Sequence, residues 1–171
     1  MAALTIAALL TEYGITPAEN YAGEVTGDDY ILAVDCSEAG ASTTVADYAP
    51  VAPHIETVGA ELSPDTEDNQ YLYEGKSTMK TSTQRSFKVA GKRLFGDPFQ
   101  DFVCSHAIKF GKGSKVERDY IYFCALTGVG EKGKVAICVN NDGGADSGAP
   151  GEIDVELVCT KAPTAYTYSA T

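Results

Sequence analysis

No lysine or arginine occurs before Lys76, no tryptophan occurs anywhere, and histidine is confined to His54 and His106. The first 75 residues carry fourteen Asp and Glu, from Glu12 to Glu74, so no basic N-terminal arm can capture a phosphate backbone. No arginine-rich tail or polybasic run follows, and high-affinity nucleic-acid capture is therefore not expected. Without Trp, a sugar-binding groove would rest on exposed tyrosines, for which Tyr71, Tyr73, Tyr166 and Tyr168 are the candidates. His54 and His106 lie far apart with no cysteine at metal-ligand spacing, and each reads as a satisfied or exposed imidazole rather than a ligand or base. The five cysteines (Cys36, Cys104, Cys124, Cys138, Cys159) are odd in number and form no C-x-x-C pair. Most sit in apolar runs where a thiol behaves as a small hydrophobe, so they are expected reduced, which implies assembly in a cytoplasm. The apolar start, Ala2 to Leu10, lacks a positive flank and is too short to span a bilayer. It is expected to pack as a strand or a short helix, and no membrane partner is expected.

What the chain does have is charge sorted along its length. Residues 76 to 134 carry twelve Lys and Arg against five acids, and residues 135 to 171 one Lys and five acids, so segments of −14, +7 and −4 make up the net −11. Acidic and basic parts of one chain can attract copies head to tail, in heterologous contacts that close into rings or run on as filaments. They can equally neutralise each other inside one fold. A length of 171 residues with 44% hydrophobic content suits one domain with a real core.

Ten Tyr, six Phe, seventeen Gly and many Thr and Val between short loops point to strands more than helices. In Glu152 to Val158, Ile153, Val155 and Leu157 share one face while Glu152, Asp154 and Glu156 share the other. Val135, Ile137 and Val139 alternate likewise, as do Ile121, Phe123 and Ala125, and Tyr30 to Cys36 is another expected strand. Lys76 to Val89 is long and rich in Ser and Thr. Met79, Thr81, Thr83, Arg85, Phe87 and Val89 have one parity, and Lys80, Ser82, Gln84, Ser86 and Lys88 the other. A strand with two mostly polar faces has a weakly pinned register, and pairing with a neighbouring copy would explain it. One helix is expected over about residues 97 to 110: Asp97 caps it, Pro98 suits its first position, Gln100 completes a capping-box spacing, and Gly111 ends it. Phe99, Phe102, Val103 and Phe110 would then lie against a sheet. Thr26 to Asp29, Gly40 to Pro53, Ser63 to Gln70 and Asn140 to Gly151 read as loops, and residues 1 to 50 give no clear packing.

Chemical motifs are scarce. Gly128 to Gly133 spells G-x-G-x-x-G, but Lys134 to Val139 alternates as a strand where a dinucleotide site needs a helix, so a hairpin turn is expected. The same glycines through Lys134 spell G-x-x-x-x-G-K, with Val135 where Mg²⁺ would need a hydroxyl. Gly75-Lys76-Ser77 ends such a loop correctly, but Gln70 replaces its first glycine. Asn140, Asn141, Asp142 and Asp146 offer oxygen ligands without the EF-hand pattern, so a flexible turn is expected. No G-x-S-x-G is present. No catalytic residue, cofactor or metal ligand is assigned.

The run Tyr73-Glu74-Gly75-Lys76 through Thr81, Thr83 and Phe87, then Ala90-Gly91-Lys92-Arg93 and Gly96-Asp97-Pro98-Phe99-Gln100-Asp101-Phe102, resembles the major tail tube proteins of long-tailed bacteriophages. In that family a loop, a polar strand, a glycine-basic turn and a GDP.QD helix start follow in this order. Val58 to Asp65 is similar to the family's strand and acidic loop. By order of elements the resemblance covers about residues 54 to 160, with residues 75 to 103 the specific part.

The resemblance implies a mainly β fold, a β-sandwich or open barrel with one flanking helix. It implies six copies in a ring whose inner strands join into one barrel. Rings then stack into a virion tail tube, assembled in the bacterial host cytoplasm, around a tape-measure protein and against tail-end proteins. Genome DNA passes through in non-specific transit. The inner tubes of contractile tails and related injection machines are similar in fold. An acidic wall suits such a conduit, but screening over about 8 Å means that only acids facing the bore would act on DNA.

Glu56 or Glu61, and Asp154 with Glu156, are the bore candidates; a solvated outer face is the alternative for all four. Asp65, Glu67, Asp68 and Glu74 in the acidic segment Pro64 to Glu74, with Lys76, Lys92 and Arg93, are the ring-stacking candidates. Lys80, Ser82, Gln84, Ser86 and Lys88 are the inter-subunit strand candidates. Against self-assembly stand two other classes, a β-sandwich module for a sugar or surface ligand, and a small hydrolase using His54 or His106.

Overall fold

Alternating apolar and polar residues build eight antiparallel strands in the computed structural model, which describes residues 4–38 and 44–169. They are β1 (Tyr30–Val34), β2 (Ala49–Pro50), β3 (Ile55–Tyr71), β4 (Gly75–Lys92), β5 (Glu117–Cys124), β6 (Val129–Asp142), β7 (Glu152–Cys159) and β8 (Thr164–Thr167). Their order is β2-β1-β5-β6-β7-β4-β3, with β8 pairing β6 at its start. The sheet does not close into a barrel. Its ends are the two-residue β2 and the seventeen-residue β3.

The sheet's two faces are covered differently. On one, Phe87 and Val89 (β4), Val135 and Ile137 (β6) and Ile153, Val155 and Leu157 (β7) form a core closed by Phe99, Val103 and Ile108 of two short helices. These are α2 (Pro98–Val103) and α3 (His106–Lys109). On the reverse face, Ile31, Ala33, Ile121 and Phe123 of β1 and β5 are covered by Ile6, Leu9 and Leu10 of α1 (Ile6–Glu12) and by Tyr166 and Tyr168. The N-terminal segment thus packs as a helix over two strands, and its buried aliphatics contribute roughly 1.5–3 kcal/mol each. The expected Gly40 to Pro53 loop includes residues 40–43, outside the described residues; its remainder holds β2 and a short turn of helix.

Several expectations need correction. The helix expected over 97 to 110 is broken at Cys104 and Ser105, where Ser105 is extended (φ −65, ψ 149). In a continuous helix Phe99 and Ile108 would stand about two and a half turns apart, on opposite sides. The break lets both reach the core, and leaves Phe110 exposed rather than against the sheet. The second correction is Ser63 to Gln70, which is strand and not loop. Pro64 is tolerated because β3 is an edge strand. The acidic residues pair with hydroxyls on β4: Asp65 accepts from Ser82 (2.8 Å) and Asp68 from Thr78 (2.6 Å).

Gln100 also differs from expectation. Asp97 caps α2 by accepting from the Gln100 backbone (3.0 Å), but the Gln100 side chain does not reach back to complete a box. Its Oε1 accepts from Leu94 N (2.8 Å) while Nε2 donates to Pro53 O (3.0 Å) and Lys92 O (3.2 Å), tying the helix to the chain entering β3 and leaving β4.

Candidate assembly interface

β7 pairs with β4 only from Ser86 to Lys92. Beyond Ser86, Leu62 to Tyr71 and Gly75 to Arg85 pair with each other alone, as a two-stranded arm about 35 Å long at ~3.3 Å per residue. A bulge between Asp65 and Thr66 twists it. Beyond the bulge one face carries Lys80, Thr78 and Lys76 opposite Thr66, Asp68 and Gln70; the other carries Met79 and Ser77 opposite Glu67 and Asn69, the face that Asp65 and Ser82 share. Lys76 Nζ lies 2.7 Å from Asp68 Oδ2, and this contact, with the Thr78 hydroxyl, holds the Asp68 carboxyl below its ordinary value. Isolated two-stranded ribbons are marginal in water, so an exposed arm of this length gains most from a partner.

The inter-subunit strand candidates divide accordingly. Ser86 and Lys88 already have β3 on one side and β7 on the other, whereas Lys80, Ser82 and Gln84 keep one backbone edge outside the sheet ladder. The partner the polar strand needs along its other edge is β3 of its own chain.

At the root of the arm Arg85 points to the core face. Its Nε lies 2.7 Å from Glu131 Oε1, with the guanidinium 5.1 Å from the Phe87 and Tyr122 ring centres. Glu131 also accepts from the Tyr120 hydroxyl (3.2 Å), which accepts from Cys159 Sγ (3.2 Å). The only sequence signal for this cluster is a charge at the parity of Phe87 and Val89.

The half of the reverse face formed by β3, β4, β7 and β6 is bare among the described residues, and the bore candidates meet there. Register places Glu61 opposite Ser86, Glu156 opposite Lys88 and Asp154 opposite Ala90. A bulge between Ile55 and Thr57 makes Glu56 the extra residue, and its charge helps to raise the Lys92 pKa, after the larger effect of the hydrogen bond to Glu152. Lys88 answers Glu61 (3.2 Å) and Lys92 answers Glu152 (3.0 Å), solvent-screened pairs that contribute little to stability. No cation within the described residues pairs with Asp154 or Glu156.

The stacking candidates are spread along the hairpin. Glu74 and Lys76 are at the arm tip, roughly 55 Å from Lys92 at the end of β4 and from Arg93 after it; Glu67 and Asp68 lie on the arm, and Asp65, opposite Ser82, is ~33 Å from Lys92. Arg93 is engaged by Asp101 (2.9 Å) and by the Leu94 carbonyl (2.6 Å), and Lys92 by Glu152.

A cleft of about 960 Å³ lies where the unclosed sheet ends approach, with Tyr13, Ile55, Val58 and Tyr122 in its lining together with Asp28, Asp29 and Glu56. Tyr166 and Tyr168 are not part of it; they pack on Phe123 at 6.3 and 4.9 Å. Tyr71 and Tyr73 sit at the arm tip, so the four tyrosines form no common groove. His54 precedes β3 in a left-handed conformation (φ 57), and His106 stacks on Phe110. Gly128 closes the turn between β5 and β6, and Val129 to Gly133, expected as the turn, are already paired strand of β6, not a helix start. All five cysteines are free thiols, with burial and then the Asp35 charge pushing Cys36 up to about 12. Within the described residues, no group of three or more His, Cys, Asp or Glu is placed to hold a metal ion, and no helix is long and apolar enough to cross a membrane.

No protein-family model and no curated protein sequence matches the chain. In three dimensions it is similar to a chain of the native gene transfer agent virion, with a TM-score of 0.59 at 11% identity over 84% of this chain and 100% of that one. A chain from the tail of the empty gene transfer agent particle, determined with C6 symmetry, gives 0.59 at 13% identity over 85% and 100%. A chain of the cap that terminates the anti-feeding prophage tube gives 0.50 at 11% identity over 86% and 94%. At these identities the likeness is one of fold, and it agrees with the tail-tube resemblance of residues 75 to 103.

Proposed function

We propose that the chain is a structural protein of a virion tail whose activity is self-association: rings of copies, six by analogy with the C6 tail, stack into a hollow tube. The observation that carries this reading is the unfinished sheet, with a long free edge on β3 and an arm unpartnered beyond β7. Free edges invite strand addition, and joining identical subunits side by side removes them. Tape-measure and tail-end proteins would be the further partners, in a tail assembled in a bacterial cytoplasm.

The bare acidic half of the reverse face would line the bore. Asp154 and Glu156, without cations, would keep DNA phosphates from adhering during transit. Negative-stain microscopy of the purified protein over rising concentration tests the assembly: rings or hollow rods are expected, and uniform monomers throughout would remove the proposal. Given rods, Asp154→Lys with Glu156→Lys is expected to leave them intact while slowing DNA ejection; unchanged ejection would assign this face elsewhere.

The cleft between the sheet ends favours one second reading, a binding module for a small apolar ligand. Uptake of an apolar fluorophore by a protein that stays monomeric would select it.

A further inference from the structure

We propose that the Arg85–Glu131 pair is a positioning device, which fixes the direction in which the β3–β4 arm leaves the sheet. The proposal concerns the single chain and holds whether or not copies assemble.

The pair stands where the sheet forks. β7 follows β4 as far as Ser86, opposite Val158, and no further. Arg85 is the next residue out, and its side chain reaches past the missing β7 neighbour to Glu131 on β6, whose own flanking strands there are β5 and β8. Polar contacts farther along the arm, Asp68 with Lys76 and Thr78 and Asp65 with Thr81 and Ser82, run between β3 and β4, so they turn with the arm and cannot aim it. Among the described residues, Arg85 with Glu131 is the one side-chain hydrogen bond or ion pair that joins residues 62–85 to anything outside the hairpin.

The anchor is held at both ends. The Arg85 guanidinium lies 5.1 Å from the Phe87 and Tyr122 ring centres; Phe87 is fully buried, and Tyr122 stacks on Tyr30 of β1 at 5.3 Å. Glu131 Oε1 also accepts from the Tyr120 hydroxyl (3.2 Å), to which Cys159 Sγ donates (3.2 Å). One ion pair thereby refers the arm to β1, β5, β6 and β7 together.

Stability alone gives little reason for such a pair. The two side chains are 13% and 23% exposed, so both charges have lost most of their water, and a well-packed apolar pair of similar volume is often as stable or more so at such a site. What apolar packing lacks is direction. A planar guanidinium between a carboxylate and two rings accepts a narrow range of angles, whereas aliphatic contact is non-directional. The lever it controls is long: Gly75 lies ten residues beyond Arg85, ~33 Å, so a swing of about 10° at the root carries the tip through about 6 Å.

The test is pulsed electron paramagnetic resonance on the full chain as dilute monomer, with nitroxides coupled to azidophenylalanine at position 73 and at either 12 or 112. Position 73 is the arm tip; position 12 ends α1 on the reverse face and position 112 follows α3 on the core face, so a swing out of the sheet changes the two distances in opposite senses. One narrow distance from each pair is expected for the otherwise unaltered chain. Arg85→Met with Glu131→Gln, which leaves Tyr120 its acceptor, is expected to widen both distributions at least twofold while the urea midpoint stays the same or rises. Arg85→Lys keeps the charge without the planar fork and is expected to widen them less. Unchanged widths in the double variant overturn the proposal, as does a broad distribution before any change to the pair. A double variant that fails to fold, or that unfolds at clearly lower urea, makes the pair a stability element and equally ends its reading as a positioning device.

Discussion

The two halves of the β3–β4 hairpin are built from the same strands and obey different physics. Its inner half, Ile55 to Glu61 against Ser86 to Gly91, packs Val58, Ala60, Phe87 and Val89 into a core and has β7 as a further neighbour. Its outer half has neither, and holds its register through hydroxyl–carboxylate pairs between strands, Asp65 with Ser82 and Asp68 with Thr78. Regular strand geometry therefore does not imply a buried face. Burial makes the inner half expensive to alter, while the outer half contributes little to the fold and most of its surface to whatever meets it.

The contrast sharpens with mutation. Phe87→Ala, at a fully buried ring, should cost about 3–5 kcal/mol by urea unfolding of the monomer. A loss below about 1 kcal/mol would show that the inner half is not the anchor. Gln100→Ala strips partners from Leu94 N and from the Pro53 and Lys92 carbonyls, and about 1–3 kcal/mol is expected in the same assay. Replacing residues 63–83 by a short turn should change stability by under about 1 kcal/mol, since no buried core residue is removed, yet abolish rods in electron micrographs. If the shortened protein unfolds readily, the halves are one cooperative unit. The smallest effect is acid loosening of the arm. Asp68 has a depressed pKa, so the stabilisation from its contacts is complete above the ordinary value of 3.8 and is lost as pH falls through the lower folded one. Nuclear magnetic resonance shifts at Thr78 should move in that window before those at Phe87; simultaneous movement would contradict the separation.

Much of the inner half was legible in the sequence, because burial writes alternation into residues such as Ile153, Val155 and Leu157. The outer half was legible only on β4. Pro64, Asp65, Asp68 and Asn69 carry loop chemistry, and they form a strand because each finds a partner across a hairpin whose turn, Leu72-Tyr73-Glu74, lacks the usual turn residues. The helix break was hidden in the nine-residue interval from Phe99 to Ile108. The acidic face needed register: parity left Glu56 and Glu61 as alternatives, and the bulge after Ile55 shows why parity alone could not decide. How α1 packs on β1 and β5 had no local signal, since it depends on which strands are neighbours.

The free edge of β3 has a consequence for the cell that makes this protein. Pro64 offers no amide proton, and the extra residue at Glu56 interrupts the spacing before it, while the second bulge, with Thr81 of β4 as its extra residue, twists the strand beyond it. A stray strand sliding along such a border finds no long uninterrupted stretch to zip onto. For the cell this means that a strand joining the border has to match its interruptions, so pairing is restricted to partners shaped for it.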